Sequence, residues 1–192
     1  MTENFRTVLP KYRKLLNDES PYVYVPGDRR SGKTVFCCQY AINYAIRHAN
    51  SHIFMPGLVS ENIIHHQICT QIVSSFTIPA VRNCTTTRIL FVNGSCINIC
   101  LWGDLEKKTT GHPVDVLVSD TMPYELSDKE QEYLLELYDR NHFITVYSED
   151  IPSFNWRGEG EEKIQDGYVE VVDVVNDVVL SSTKVMFWPT VG

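Results

Sequence analysis

The sequence predicts an α/β domain built in three layers around a mainly parallel sheet. Three observations carry this expectation. Short β-type runs alternate with longer amphipathic stretches, the pattern of parallel strands joined by helical crossovers. A glycine-containing loop, Gly27 to Thr34, stands between one such run and a helical stretch. Near the end, residues 169–175 and 178–185 flank Asn176-Asp177 and read as a C-terminal β-hairpin.

The elements follow in order. Phe5, Val8, Leu9, Tyr12, Leu15 and Leu16 space a short amphipathic helix over residues 5–16, with Pro10 interrupting it or near its first turn. Residues 22–25 form a short strand, and residues 33–48 a helix with Phe36, Tyr40 and Tyr44 on its apolar face. Residues 52–55 read as a second strand, closed by Pro56-Gly57. Ser60 is placed to cap a helix running to about Phe76. Residues 88–92 and 96–102 are strands around Asn93-Gly94, a dipeptide that favours a type I′ hairpin. Residues 114–119 are a strongly apolar strand, Ser127 caps a helix bearing Tyr133, Leu134, Leu137 and Tyr138, and residues 143–147 are a further strand. Residues 155–167, rich in Gly and Glu, are expected to be a mobile loop. The expected organisation is a single domain over 1–192, with its core at 10–150 and the hairpin at 169–188.

Composition narrows the function classes. A chain of 192 residues with 43% hydrophobic content suits one domain with one sizeable core. No apolar run is long enough to span a bilayer, and the polar start lacks a signal peptide's apolar stretch. A soluble, intracellular protein with no membrane partner is the expectation. The six cysteines include no C-x-x-C pair, so they read as buried free thiols rather than a zinc framework. His65 and Cys69 have a spacing that suits a metal, but two ligands do not make a site, and helix packing or surface is the reading. Net charge is −7, divided into +5 over residues 1–108 (12 basic, 7 acidic) and −12 over residues 109–192 (5 basic, 17 acidic). Only the first part supplies the positive charge that nucleic-acid phosphates require. The acidic part faces solvent or a protein partner.

The loop carries the chemistry. Gly27-Asp28-Arg29-Arg30-Ser31-Gly32-Lys33-Thr34 has the pattern G-x-x-x-x-G-K-T between a strand and a helix. Phosphate oxygens need several donors converging from one side. Such a loop turns backbone N–H groups inward, and the helix N-terminus adds partial positive charge. All eight residues are nucleotide-binding candidates, with Lys33 reaching the β- and γ-phosphates and Thr34 a ligand of Mg²⁺. Arg29 is read as acting on the γ-phosphoryl group, and Arg30 as facing solvent or nucleic acid. The expected fold is therefore that of a P-loop NTPase, with ATP and Mg²⁺ as cofactors.

The strand at 114–119 delivers Asp120, the candidate Walker B aspartate and second Mg²⁺ ligand. Asp115, five residues earlier, is expected at the opposite end of the sheet. Thr121 stands where most such hydrolases carry the glutamate that orients water. Glu125, Glu149 and Asp150 are the alternatives for that role; Glu149, just beyond the strand at 143–147, is carried as a catalytic candidate beside Arg29, Lys33 and Asp120. Ser148 is the candidate γ-phosphate sensor.

Together these segments resemble the ATPase domain of viral and phage terminase large subunits, the motors that package DNA. The loop looks like that family's G-x-R-x-S-G-K-[ST] version, residues 88–97 look like its strand–Asn-Gly-Ser–strand hairpin, and 116–120 followed by 143–148 match the order of its Walker B and coupling segments. The resemblance covers roughly residues 10–150. It implies a virus-encoded ATPase acting in the infected cell, Arg29 acting in cis, double-stranded DNA as partner, and a ring of copies or other packaging proteins. Thr121 departs from the family, and no acidic constellation assignable to its nuclease domain follows. Two other readings stand beside it. One is a small nucleoside or nucleotide kinase, although the paired cysteines of a thymidine-kinase-like zinc lasso are missing. The other is an inactive P-loop protein that serves as a scaffold.

Overall fold

Apolar spacing resolves into strands and helices along the whole described chain. The computed structural model describes residues 12–20, 22–25, 31–74, 80–120, 127–141, 143–147, 168–175 and 178–186. The elements are β1 (Tyr22–Tyr24), α1 (Lys33–Arg47), β2 (His52–Gly57), α2 (Val59–Ser74), β3 (Val81–Thr85), β4 (Arg88–Phe91), β5 (Cys96–Leu101), α3 (Leu105–Thr109), β6 (Val116–Ser119), α4 (Asp128–Asn141), β7 (Ile144–Tyr147), β8 (Tyr168–Val175) and β9 (Val178–Met186). Among the described residues the strands make one nine-stranded sheet, in the order β3-β4-β5-β2-β6-β7-β1-β8-β9. From β5 to β8 every neighbouring pair is parallel. β3 and β4 extend one edge antiparallel, and β9 pairs antiparallel with β8 at the other. This is the α/β fold with a mainly parallel sheet and C-terminal hairpin that the sequence predicts.

Side-chain alternation divides the sheet into two faces. Ile53 and Met55 of β2, Ile97 and Ile99 of β5, Val116 and Val118 of β6 and Val146 of β7 share one core with Phe36, Tyr40 and Ile42 of α1 and Cys69 of α2. Phe54 and Leu117, out of phase with these, are also buried. On that second side α3 packs against β5, and the Thr109 hydroxyl of α3 hydrogen-bonds the Tyr133 hydroxyl of α4.

Several local expectations are corrected. Residues 1–11 lie outside the described residues, and Leu15–Asn17 form a 3-10 turn rather than the end of an α-helix. β2 continues through Pro56 and Gly57 because it stays paired to β5 there, Pro56 opposite Cys100, whereas its pairing with β6 stops at Phe54. Ser60 lies inside the first turn of α2 and does not cap it. The Glu61 carboxylate instead accepts the Leu58 N–H at 2.7 Å, as a glutamate at the third helical position does. β5 ends at Leu101, and Trp102 opens a 3-10 turn leading into α3.

The β4–β5 turn is not type I′. That turn needs positive φ at both central residues, but Gly94 has φ +88° while Asn93 has no positive φ. The Gly94 N–H donates to Phe91 O at 3.2 Å and the Phe91 N–H to Ser95 O at 2.9 Å, which closes a longer loop. Tertiary contacts decide its shape. The Asn93 side-chain amide donates to Ala45 O at 2.8 Å, and the Ser95 hydroxyl donates to His48 O. Asn-Gly-Ser therefore ties off the last carbonyls of α1, which have no partner within the helix. A Cβ added at Gly94 would sit on the Asn50 side-chain oxygen. Asn93→Ala and Gly94→Ala are each expected to lower unfolding free energy by about 1–3 kcal/mol. Urea denaturation midpoints equal to wild type would contradict this.

Candidate functional site

Strand register defines one edge of the sheet. Tyr24 of β1 pairs with Tyr147 of β7, which pairs with Ser119 of β6. The chain therefore leaves three adjacent parallel strands at one level, the place where α/β sheets bind ligands. α1 starts after Gly32, whose φ of +91° only glycine adopts without strain. The N-cap Gly32 has no side chain with which to cap α1, and the first turn of the helix carries no acidic residue. Its leading N–H groups and partial positive charge are thus not met by a protein carboxylate from that turn. The loop just before it is braced: the buried Tyr12 hydroxyl donates to Ser31 Oγ at 3.2 Å, and the Tyr12 ring packs on Phe36 with centroids 5.0 Å apart. Burial raises the Tyr12 pKa, and the Ser31 hydrogen bond opposes that shift.

Asp120 follows β6 at this edge. Val116 and Val118 face α1 and α2, so strand alternation turns Asp120 to the same side. Two neighbours confirm the direction. The Asp120 Oδ2 lies 3.4 Å from Nε2 of His65, on α2. The Cys37 thiol, on α1, is pushed well above its ordinary pKa by burial first and by the negative charge of Asp120 second, with the positive charge of Lys33 opposing. Cys37 thus feels Lys33, one helical turn before it, and Asp120 together. Asp115 closes the other end of the sheet: its carboxylate accepts the His52 N–H at 2.7 Å, and its backbone oxygen accepts the Ile144 N–H at 2.9 Å.

Of the sequence-predicted site residues, Ser31, Gly32, Lys33 and Thr34 stand at the start of α1 and Asp120 at the end of β6. Gly27, Asp28, Arg29 and Arg30 lie outside the described residues, as do Thr121, Glu125, Ser148, Glu149 and Asp150 and the expected loop at 155–167. The hydroxyl of Thr34 and the carboxylate of Asp120 are hard oxygen donors of the kind Mg²⁺ takes. Sequence reasoning left His65 to helix packing. It is fully buried, with its ring against Asp120, and no local pattern signals a contact between residues so far apart in the chain. Among the described residues, no group of three or more His, Cys, Asp or Glu is arranged to hold a metal, and no helix is long and apolar enough to cross a membrane.

The α1 thiols behind the site, Cys37 and Cys38, are buried. Cys38 is raised well above its ordinary pKa by its hydrogen bond with Cys69, with burial adding to that. Burial pushes the Cys100 thiol up to about 12. Cys84 is exposed, whereas Cys37, Cys38, Cys69, Cys96 and Cys100 are buried. Brief iodoacetamide treatment of the native protein is expected to label Cys84 and spare these five, with all six labelled in denaturant. Native labelling at Cys37 or Cys38 would contradict the packing of α1 against the site.

No family model matches the sequence, and no curated protein matches it. Among solved structures, the chain is similar to the large terminase ATPase domain of Thermus phage P74-26, determined as an arginine-to-alanine variant. The TM-score is 0.59 at 13% identity, over 82% of this chain and 74% of that one. At that identity the likeness is one of fold: the two chains share an α/β architecture.

Proposed function

We propose that the chain binds ATP with Mg²⁺ at the carboxyl edge of its sheet and hydrolyses it, as the ATPase part of a terminase-like DNA-packaging motor. The observation that supports this reading is the shared sheet edge: β1, which enters the loop before α1, and β6, which leads to Asp120, both pair with β7 so that Tyr24, Tyr147 and Ser119 end at one level, where α1 starts after Gly32. In this reading, backbone N–H groups of Gly27, Asp28, Arg29, Arg30, Ser31 and Gly32 cradle the phosphates, and the Lys33 ammonium holds the β- and γ-phosphate oxygens. Thr34 and Asp120 hold the metal. A Mg²⁺ ion held by them would supply positive charge to offset that of the phosphates. Arg29 balances the negative charge that grows as the γ-phosphoryl group transfers. Glu149 orients the attacking water, with Glu125 and Asp150 as alternatives, and Ser148 couples the γ-phosphate to movement of the chain beyond β7. The partners are double-stranded DNA and further copies of the chain or other packaging proteins, and the setting is a virus-infected cell. Residues 10–150 serve as the ATPase core of one domain.

Thr121 favours a second reading, tight nucleotide binding without turnover. Equilibrium titration with a fluorescent ATP analogue and Mg²⁺, beside phosphate release with and without double-stranded DNA, separates the two. Hydrolysis stimulated by DNA supports the motor. Binding with no phosphate release supports the second reading, and transfer of phosphate to an added nucleoside would replace both with a kinase.

A further inference from the structure

We infer that His65 is a positioning residue that fixes the carboxylate of Asp120 for the metal end of a bound Mg²⁺–nucleotide complex. The inference rests on the nucleotide reading of the site. His65 is 0% exposed, the Asp120 side chain is 8% exposed, and His65 Nε2 lies 3.4 Å from Asp120 Oδ2. A carboxylate this buried needs polar partners to offset lost hydration. The ring's other nitrogen decides the direction of the bond. Among the described residues, His65 Nδ1 is buried with no hydrogen-bond partner. A proton on Nδ1 alone would bury an unpaired donor and set two acceptors, Nε2 and Oδ2, against each other. A proton on Nε2 makes the ring a donor to Asp120.

The helix backbone that carries the ring is anchored to α1. The Cys38 thiol of α1 donates to the backbone oxygen of His65 at 3.9 Å. One turn further along α2, Cys69 is buried against the same Cys38. The contact between α1 and α2 therefore sets where the imidazole stands, and the imidazole sets how the carboxylate is turned. Partners one step removed from a metal orient its ligands in this way, and their loss typically weakens metal affinity about 10–100-fold.

The test uses the full chain and a fluorescent ATP analogue. Analogue affinity is measured in EDTA, and the Mg²⁺ dependence of that affinity by titration with MgCl₂. His65→Leu fills much of the ring's volume without a donor. His65→Asn places an amide near the Nδ1 position, and His65→Gln places one at the reach of Nε2. Leu and Asn are expected to raise the Mg²⁺ concentration required by about tenfold or more, with EDTA affinity within about twofold of wild type and His65→Gln restoring most of the loss. The inference is overturned if Leu and Asn keep the wild-type Mg²⁺ dependence. It is also overturned if EDTA affinity falls in parallel, or if Gln does no better than Asn. Should His65→Leu fail to fold, the contrast between Gln and Asn decides. Wild-type protein that binds no analogue in either condition overturns the nucleotide reading itself, and this inference with it.

Discussion

Lys33→Ala is expected to weaken binding of ATP with Mg²⁺ by about 10–100-fold while leaving the fold intact. The lost contact is a charge-assisted one of up to about 3 kcal/mol, and about 1.4 kcal/mol is tenfold in affinity. The fold is expected to survive because Lys33 is the first residue of α1 and only partly buried. Alanine is also the better helix former. Titration with a fluorescent ATP analogue checks the affinity, and circular dichroism melting checks the fold. An affinity within about threefold of wild type would remove Lys33 from the site.

Asp120→Asn is expected to lower ATP turnover by about 10²–10³-fold, the several kcal/mol that a correctly held metal supplies. Its effect on stability should run the other way. The Asp120 side chain is 8% exposed, so its ionised form carries a desolvation cost that the amide of the same shape does not. The amide oxygen still accepts a hydrogen bond from His65. The melting temperature of Asp120→Asn is therefore expected to equal or exceed that of wild type. A variant that melts several degrees lower with turnover intact would make Asp120 a structural residue.

How much of this was legible in the sequence depends on how local each signal is. The helix from Lys33 was readable from the spacing of Phe36, Tyr40 and Tyr44, and the strand before Asp120 because Val116, Leu117 and Val118 run together up to Ser119. β3 was not readable: Arg82, Asn83, Cys84 and Thr85 are exposed, and the strand exists through its pairing with β4. The turn at Asn93-Gly94 misled because local preference favours type I′, while the Asn93 amide is held by the end of α1. The meeting of His65 with Asp120 had no sequence signature, since it arises only when α2 packs beside the end of β6. Thr121 is legible only as a departure, because residues 121–126 lie outside those described.

The most direct measurement is a crystal structure of the chain with Mg²⁺ and a non-hydrolysable ATP analogue. The account predicts the phosphates against the start of α1, with the Lys33 ammonium on the β- and γ-phosphate oxygens and the metal between Thr34 and the Asp120 side. Phosphates bound elsewhere on the molecule, or crystals grown at saturating nucleotide with this edge empty, would contradict it.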